Sequence, residues 1–172
     1  MAHVKKLNKV KLIVGVMYKD NPDEVIEVLK KKFGEAEDSI EYDFNFTDYY
    51  EPEMGQALKK KIIVFKELVD RDELAEIKHW TNKAEDDFSE NGKRKINLDP
   101  GYMTEHNVVL ASAKEMPHKI SIGWGMFGDV VLVFRNGAFA DSYHTFPDYK
   151  TELVKSFLAK IRKVHMKCCR SA

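Results

Sequence analysis

Cysteine is nearly absent: the 172 residues include two, and these are neighbours, Cys168 and Cys169, in a basic C-terminal stretch. That excludes the disulfide framework of a small secreted fold and any spaced thiolate metal site. Long apolar runs are missing too. Ile62 to Phe65 and Val130 to Phe134 are far too short to cross a bilayer, and the opening MAHVKKLNKVK has no apolar signal core. A cytoplasmic protein without a membrane partner is expected. There is no net charge either, since Lys plus Arg total 28 and Asp plus Glu total 28. No overall field therefore draws the chain to nucleic acid. Basic clusters at Lys59 to Lys61 and Lys93 to Lys95, and the tail with Lys160, Arg162, Lys163, Lys167 and Arg170, read as solvation and helix-end charge. Internal repeats, low-complexity segments and linkers are lacking, so one domain over residues 1–172 is expected.

What is present is the composition of a soluble globular domain with one sizeable core: 44% hydrophobic, 33% charged and 11% aromatic residues. Lys11 to Met17 (KLIVGVM) reads as a buried strand. Asn21-Pro22-Asp23-Glu24 then supplies a helix start, and Gly34 stops that helix after Phe33. Ile40, Tyr42, Phe44 and Phe46 alternate with polar residues as a half-buried strand does, and Lys60 to Lys66 is the next strand. Asp70 and Glu73 form a capping box ahead of a stripe at helical spacing, Leu74, Ile77, Thr81, Ala84 and Phe88. With a short strand at Lys95 to Asp99, the order is β-α-β-β-α-β, which predicts an α+β fold with a ferredoxin-like unit over about residues 10–100. An extension over about 103–166 follows. It comprises a helix near Glu105 to Lys114, a strand from His118 to Ile122, a hairpin turning at Asn136-Gly137 and a terminal amphipathic helix.

Two segments carry candidate chemistry. Thr47 to Gly55 holds three carboxylates within six residues, Asp48, Glu51 and Glu53. These are hard oxygen ligands suited to Mg²⁺ or Mn²⁺, set against the alternative of a solvated loop anchored by its tyrosines. Asn97-Leu98-Asp99-Pro100-Gly101-Tyr102 places Lys95, Asn97 and Asp99 on one side of a strand, and Pro100-Gly101 fits the centre of a type II turn with Asp99 and Tyr102 at its corners. Asp99 and His118 are candidate acid/base residues; Tyr49, Lys95, Asn97 and Tyr102 are candidate ligand contacts. His144 is weighed and set aside as a surface histidine. In a sheet of order 4-1-3-2 the two segments sit on opposite edges, roughly 14 Å apart, and leave opposite ends. The loop from Thr47 to Leu58 has to fold across the sheet to join them, a span that about six residues, reaching roughly 20 Å, can cover.

KLIVGVM, DFNFTDYYEPEMG (Asp43 to Gly55), EIKHWTN (Glu76 to Asn82), GKRKINLDPGYM (Gly92 to Met103) and FPDYKT (Phe146 to Thr151) together resemble the bacterial domain-of-unknown-function family 4416. Its members are often labelled GTP-binding proteins, and the resemblance brings no catalytic residues. The residues do not support a P-loop GTPase, because no Gly-rich loop ends in Lys-Ser/Thr. Thr81-Asn82-Lys83-Ala84-Glu85 imitates a guanine-reading element but falls inside the second helix. Gly123 to Val130 matches the kinase glycine-loop pattern without the rest of a kinase, and reads as a bend where Trp124 and Phe127 pack. The expectation is a cytosolic protein that binds or acts on a phosphorylated or nucleotide-like molecule, with a divalent cation. The competing class is a non-catalytic interaction module or homodimer.

Overall fold

The computed structural model describes residues 7–170, with side chains to Lys167; residues 1–6 and the side chains of Cys168, Cys169 and Arg170 lie outside the described residues. The elements are β1 (Val10–Tyr18), α1 (Asp23–Phe33), β2 (Ala36–Asp43), α2 (Glu51–Met54), β3 (Lys59–Val69), α3 (Leu74–Asp87), β4 (Ile96–Met103), β5 (Asn107–Ser112), β6 (Ile120–Gly123), β7 (Met126–Arg135), β8 (Ala138–Ala140) and α4 (Glu152–Arg170), with 3₁₀ turns at Arg71–Glu73 and Pro147–Lys150. The fold is α+β. One antiparallel sheet runs in the order β2-β3-β1-β4-β5-β7-β6, with β8 added beside β7.

Every residue of β1 is buried, because helices cover both faces of the sheet. Leu12, Val14 and Val16 pack under α1 and α3, against Val25, Leu29, Phe33 and Ile77. Ile13, Met103, Val108 and Leu110 pack on the other face, against Val154, Leu158 and Ile161 of α4. The helix ends follow local chemistry. The Asn21 carboxamide accepts the Asp23 N–H at 2.8 Å, and Gly34, at φ +86°, closes α1 by donating its N–H to Lys30 O at 2.8 Å. Ahead of α3 the Glu73 carboxylate accepts the Asp70 N–H at 2.7 Å, completing the capping box. At Asn136-Gly137 both residues have positive φ, 51° and 82°, as a tight hairpin requires.

The structure corrects two expectations. The segment expected as a helix near Glu105 to Lys114 is strand β5, whose run Val108 to Ala111 is buried from both faces. A central strand of this kind has no alternation to distinguish it from a helix. The Pro100-Gly101 turn does not exist either: both residues lie inside β4, opposite Val14 and Ile13 of β1. Proline is tolerated because pairing of β4 with β5 begins only at Gly101. Glycine is needed because a Cβ there would stand 2.4 Å from Val109 O and 2.5 Å from Leu110 Cδ2. Strand alternation then puts Tyr102 on the face opposite Asn97 and Asp99.

Candidate functional site: a cleft where β4 parts from β5

The sheet splits along β4. Its second half, Gly101 to Met103, pairs with β5, while the first half, Ile96 to Pro100, pairs with β1 alone. The exposed backbone edge is completed by side chains of α3, since Lys78 Nζ donates to Leu98 O at 2.7 Å and the Leu98 N–H donates to Glu85 Oε1 at 2.7 Å. Lys78 and Glu85, two turns apart on one helix face, are both buried and lie 3.7 Å from each other. The fork encloses a cleft of about 490 Å³. One wall is Asn97, Asp99, Lys78 and Glu85; the other is the end of β5 with Lys114, Lys119 and Asp129; Tyr49, Tyr50 and Phe146 form the rim.

The carboxylate-bearing loop does meet β4. Asp43 lies opposite Lys59, Lys59 opposite Tyr18 and Tyr18 opposite Ile96, so the 44–58 loop leaves from the sheet end where β4 begins. The opposite-ends expectation fails because β4 continues to Met103 and Asn97 and Asp99 stand near its start. Arg94 latches the loop: its Nε and Nη2 donate to the Glu53 carboxylate at 2.9 and 2.7 Å, and its Nη1 donates to Asn97 Oδ1 at 2.9 Å. Met54, Leu58 and Phe44 bury the loop's inner side against Met17. Hydrogen bonding from Arg94 holds the Glu53 carboxyl below its ordinary value. Burial pushes Glu85 up, against the opposing pull of Lys78.

The remaining candidates separate. Tyr49 is exposed at the rim, its hydroxyl bonded to the Lys114 ammonium, which lies 4.3 Å from its ring centre. Asp48 and Glu51 line a different depression on the outer side of the loop, where Glu51 accepts from Gln56 at 3.1 Å. Among the described residues no group of three His, Cys, Asp or Glu side chains is placed to hold a metal ion. Lys95 is exposed and pairs with Glu90 at 3.1 Å. Tyr102 packs beside Leu74, Val109 and Ala111 and does not line the cleft. Trp124 does not pack in the glycine-rich bend as expected: it is 65% exposed, at φ 55°, with its ring 5.6 Å from the His79 ring of α3.

Three arrangements escaped sequence reasoning, which singled out His118 but none of its partners. Asp129 is 1% exposed, a lone acid inside the apolar strand β7. The His118 and His144 rings stack at 4.4 Å, with their Nε2 atoms 3.4 and 3.6 Å from its two oxygens. Lys60 is the third, fully buried between Asp148 at 2.8 Å and Asp99 at 3.6 Å, with Tyr42 donating to Asp148 at 2.9 Å. Burial alone would push this lysine down, but Asp148 and Asp99 hold it charged. It reaches Asp99 across Gly15, where a Cβ would stand 2.9 Å from Lys60 Cε. The available signals were an isolated acid in an apolar strand for Asp129 and, for Lys78 and Glu85, opposite charges seven apart on a buried helix face; Lys60 was masked by its neighbours Lys59 and Lys61.

A family described as a domain of unknown function, DUF4416, matches residues 8–165. The chain belongs to this family. Neither the curated proteins nor the solved structures contain a match. All the residues that form the cleft, from Tyr49 to Phe146, fall within the DUF4416 span. No helix among the described residues is long and apolar enough to cross a membrane.

Proposed function

We propose that this DUF4416 protein is a cytosolic small-molecule protein that holds a polar, phosphorylated or nucleotide-like ligand in the β4/β5 cleft, by a route unrelated to a P-loop. The observation that carries the reading is the location of its unpartnered polar atoms. Among the described residues, five buried side-chain polar atoms lack a hydrogen-bond partner, and three of them, Asn97 Nδ2 and both Asp129 oxygens, belong to this one cleft. A buried donor or acceptor left without a partner costs about 1–3 kcal/mol, more when charged. A ligand presenting an acceptor to Asn97 and donors to Asp129 removes that cost, and Lys114 on the same wall suits its anionic group. Asp99, which lines the cleft beside Lys60, is the carboxylate best placed to meet a reacting hydroxyl.

We further read residues 10–103 as a ferredoxin-like unit, supported by the order β2-β3-β1-β4, antiparallel throughout, with α1 and α3 packed on one face. A second functional reading, a homodimer or partner interface, is favoured by Trp124 and Ile120, 65% and 66% exposed on the edge strand β6 and its turn. Thermal melts with GTP, ATP and sugar phosphates, with and without Mg²⁺ or Mn²⁺, separate the two. A ligand at a hundred times its Kd stabilises by about 2.7 kcal/mol, and Asp99→Ala abolishes the shift. A flat response across the panel, with a melting temperature that rises with protein concentration, supports the interface instead.

A further inference from the structure

We propose that Lys119 is an amine nucleophile that forms an imine with a carbonyl-bearing ligand in the cleft. This rests on the reading of the cleft as a ligand site and names the chemical class of what it takes. The cations around the fork differ in how they are engaged. Arg94 is clamped by Glu53 and Glu85, Lys78 by Leu98 O and Glu85, and Lys60 by Asp148 and Asp99. Lys114 lies on the Tyr49 ring. Lys119 is half-buried and lines the cleft; among the described residues its contact is the Ser112 hydroxyl at 3.0 Å, and no carboxylate forms an ion pair with it. A hydroxyl can serve a neutral amine as readily as an ammonium, because it donates as well as accepts.

Burial makes the neutral amine more accessible at Lys119 than at an exposed lysine. Burial holds the Lys119 ammonium below the ordinary lysine value, and Lys114 adds to this, while Asp129 and Asp99 oppose it. In the step itself the amine lone pair attacks the carbonyl carbon. A C–N bond forms, the C=O π electrons move to oxygen, and that oxygen takes the proton the nitrogen gives up. The carbinolamine then loses its hydroxyl as water, the second nitrogen proton leaving with it, and a C=N bond remains. Asp129 lines the same cleft, and its charge opposes the lowering of the Lys119 ammonium.

The test is reductive trapping at pH 7. The full chain is mixed with pyridoxal 5′-phosphate, and separately with glyceraldehyde 3-phosphate, reduced with borohydride, digested and mapped by mass spectrometry. The expected result is that most of the label sits on Lys119, is lost in Lys119→Arg and is retained in Lys114→Arg, with Lys119→Arg melting as the wild type does. Label spread over exposed lysines such as Lys83 and Lys95, label concentrated on Lys114, undiminished label in Lys119→Arg, or no trapping with either aldehyde overturns the proposal. Nucleotide or sugar-phosphate stabilisation of Lys119→Arg equal to wild type, without trapping, removes the imine chemistry and leaves the cleft as a binding site. Absence of both trapping and any ligand shift removes the two together.

Discussion

Two polar clusters sit side by side on this sheet, joined by Asp99, and they are built on different terms. Around Lys60 the charges answer one another: a fully buried ammonium has Asp148 at 2.8 Å and Asp99 at 3.6 Å, Tyr42 donates to Asp148, and the Tyr149 and Phe44 rings close over the amine at 5.3 and 5.5 Å. Only the Tyr149 hydroxyl is left over. Across the fork, Asn97 Nδ2 and both Asp129 oxygens lack hydrogen-bond partners, although they are equally withdrawn from water, and Asp129 meets the His118 and His144 imidazoles at the longer distances of 3.4 and 3.6 Å. A network completed by its own residues holds a fold together; one left incomplete, facing a cleft, is kept at a cost to stability that ligand recognition explains.

Mutations sharpen this contrast, because removing a carboxylate charge should move stability in opposite directions in the two clusters. The largest effect is expected for Asp148→Ala, which strands a charged Lys60 in the interior and should cost about 3–5 kcal/mol in urea unfolding. Gly101→Ala comes next. Its Cβ collides with the β5 backbone at the fork, and a loss of about 1–3 kcal/mol is expected. Asp129→Asn should do the reverse: stability unchanged or higher by up to about 1 kcal/mol, since the buried charge is removed while the amide oxygen can still accept from the His118 or His144 imidazole, with loss of ligand-induced stabilisation. The smallest effect belongs to the half-exposed latch. Glu53→Gln should cost less than about 1 kcal/mol at pH 7. Because Arg94 lowers the folded-state value of Glu53 below its ordinary 4.5, this contribution is present above that value and is lost as pH falls through the lowered one. Urea midpoints of wild type and Glu53→Gln should therefore converge in acid.

Local chemistry made several helix ends and turns readable. The Asp70/Glu73 capping box, Gly34 at the end of α1 and Asn136-Gly137 all act within a few residues, and each stands where its type requires. The misreadings arose where tertiary contacts overrule local signals. Val108 to Ala111 has no alternation because both faces of β5 are covered, though its paired valines favour a strand. Pro100-Gly101 imitates a turn, yet proline sits where the sheet forks and glycine where a neighbouring strand presses close. Within the site, the common face of Asn97 and Asp99 was legible from strand alternation. The opposite wall, Lys119 and Asp129, was not, because it depends on β5 and β7 continuing the sheet beyond β4.

The most direct test of the account is the melting temperature of Asp129→Asn beside Asp148→Ala, each measured with and without the phosphorylated ligand panel. The account predicts that Asp129→Asn melts at or above wild type and gains nothing from a ligand that stabilises wild type, while Asp148→Ala melts far below it. If Asp129→Asn instead falls as far as Asp148→Ala, both clusters are structural and the cleft is not a binding site.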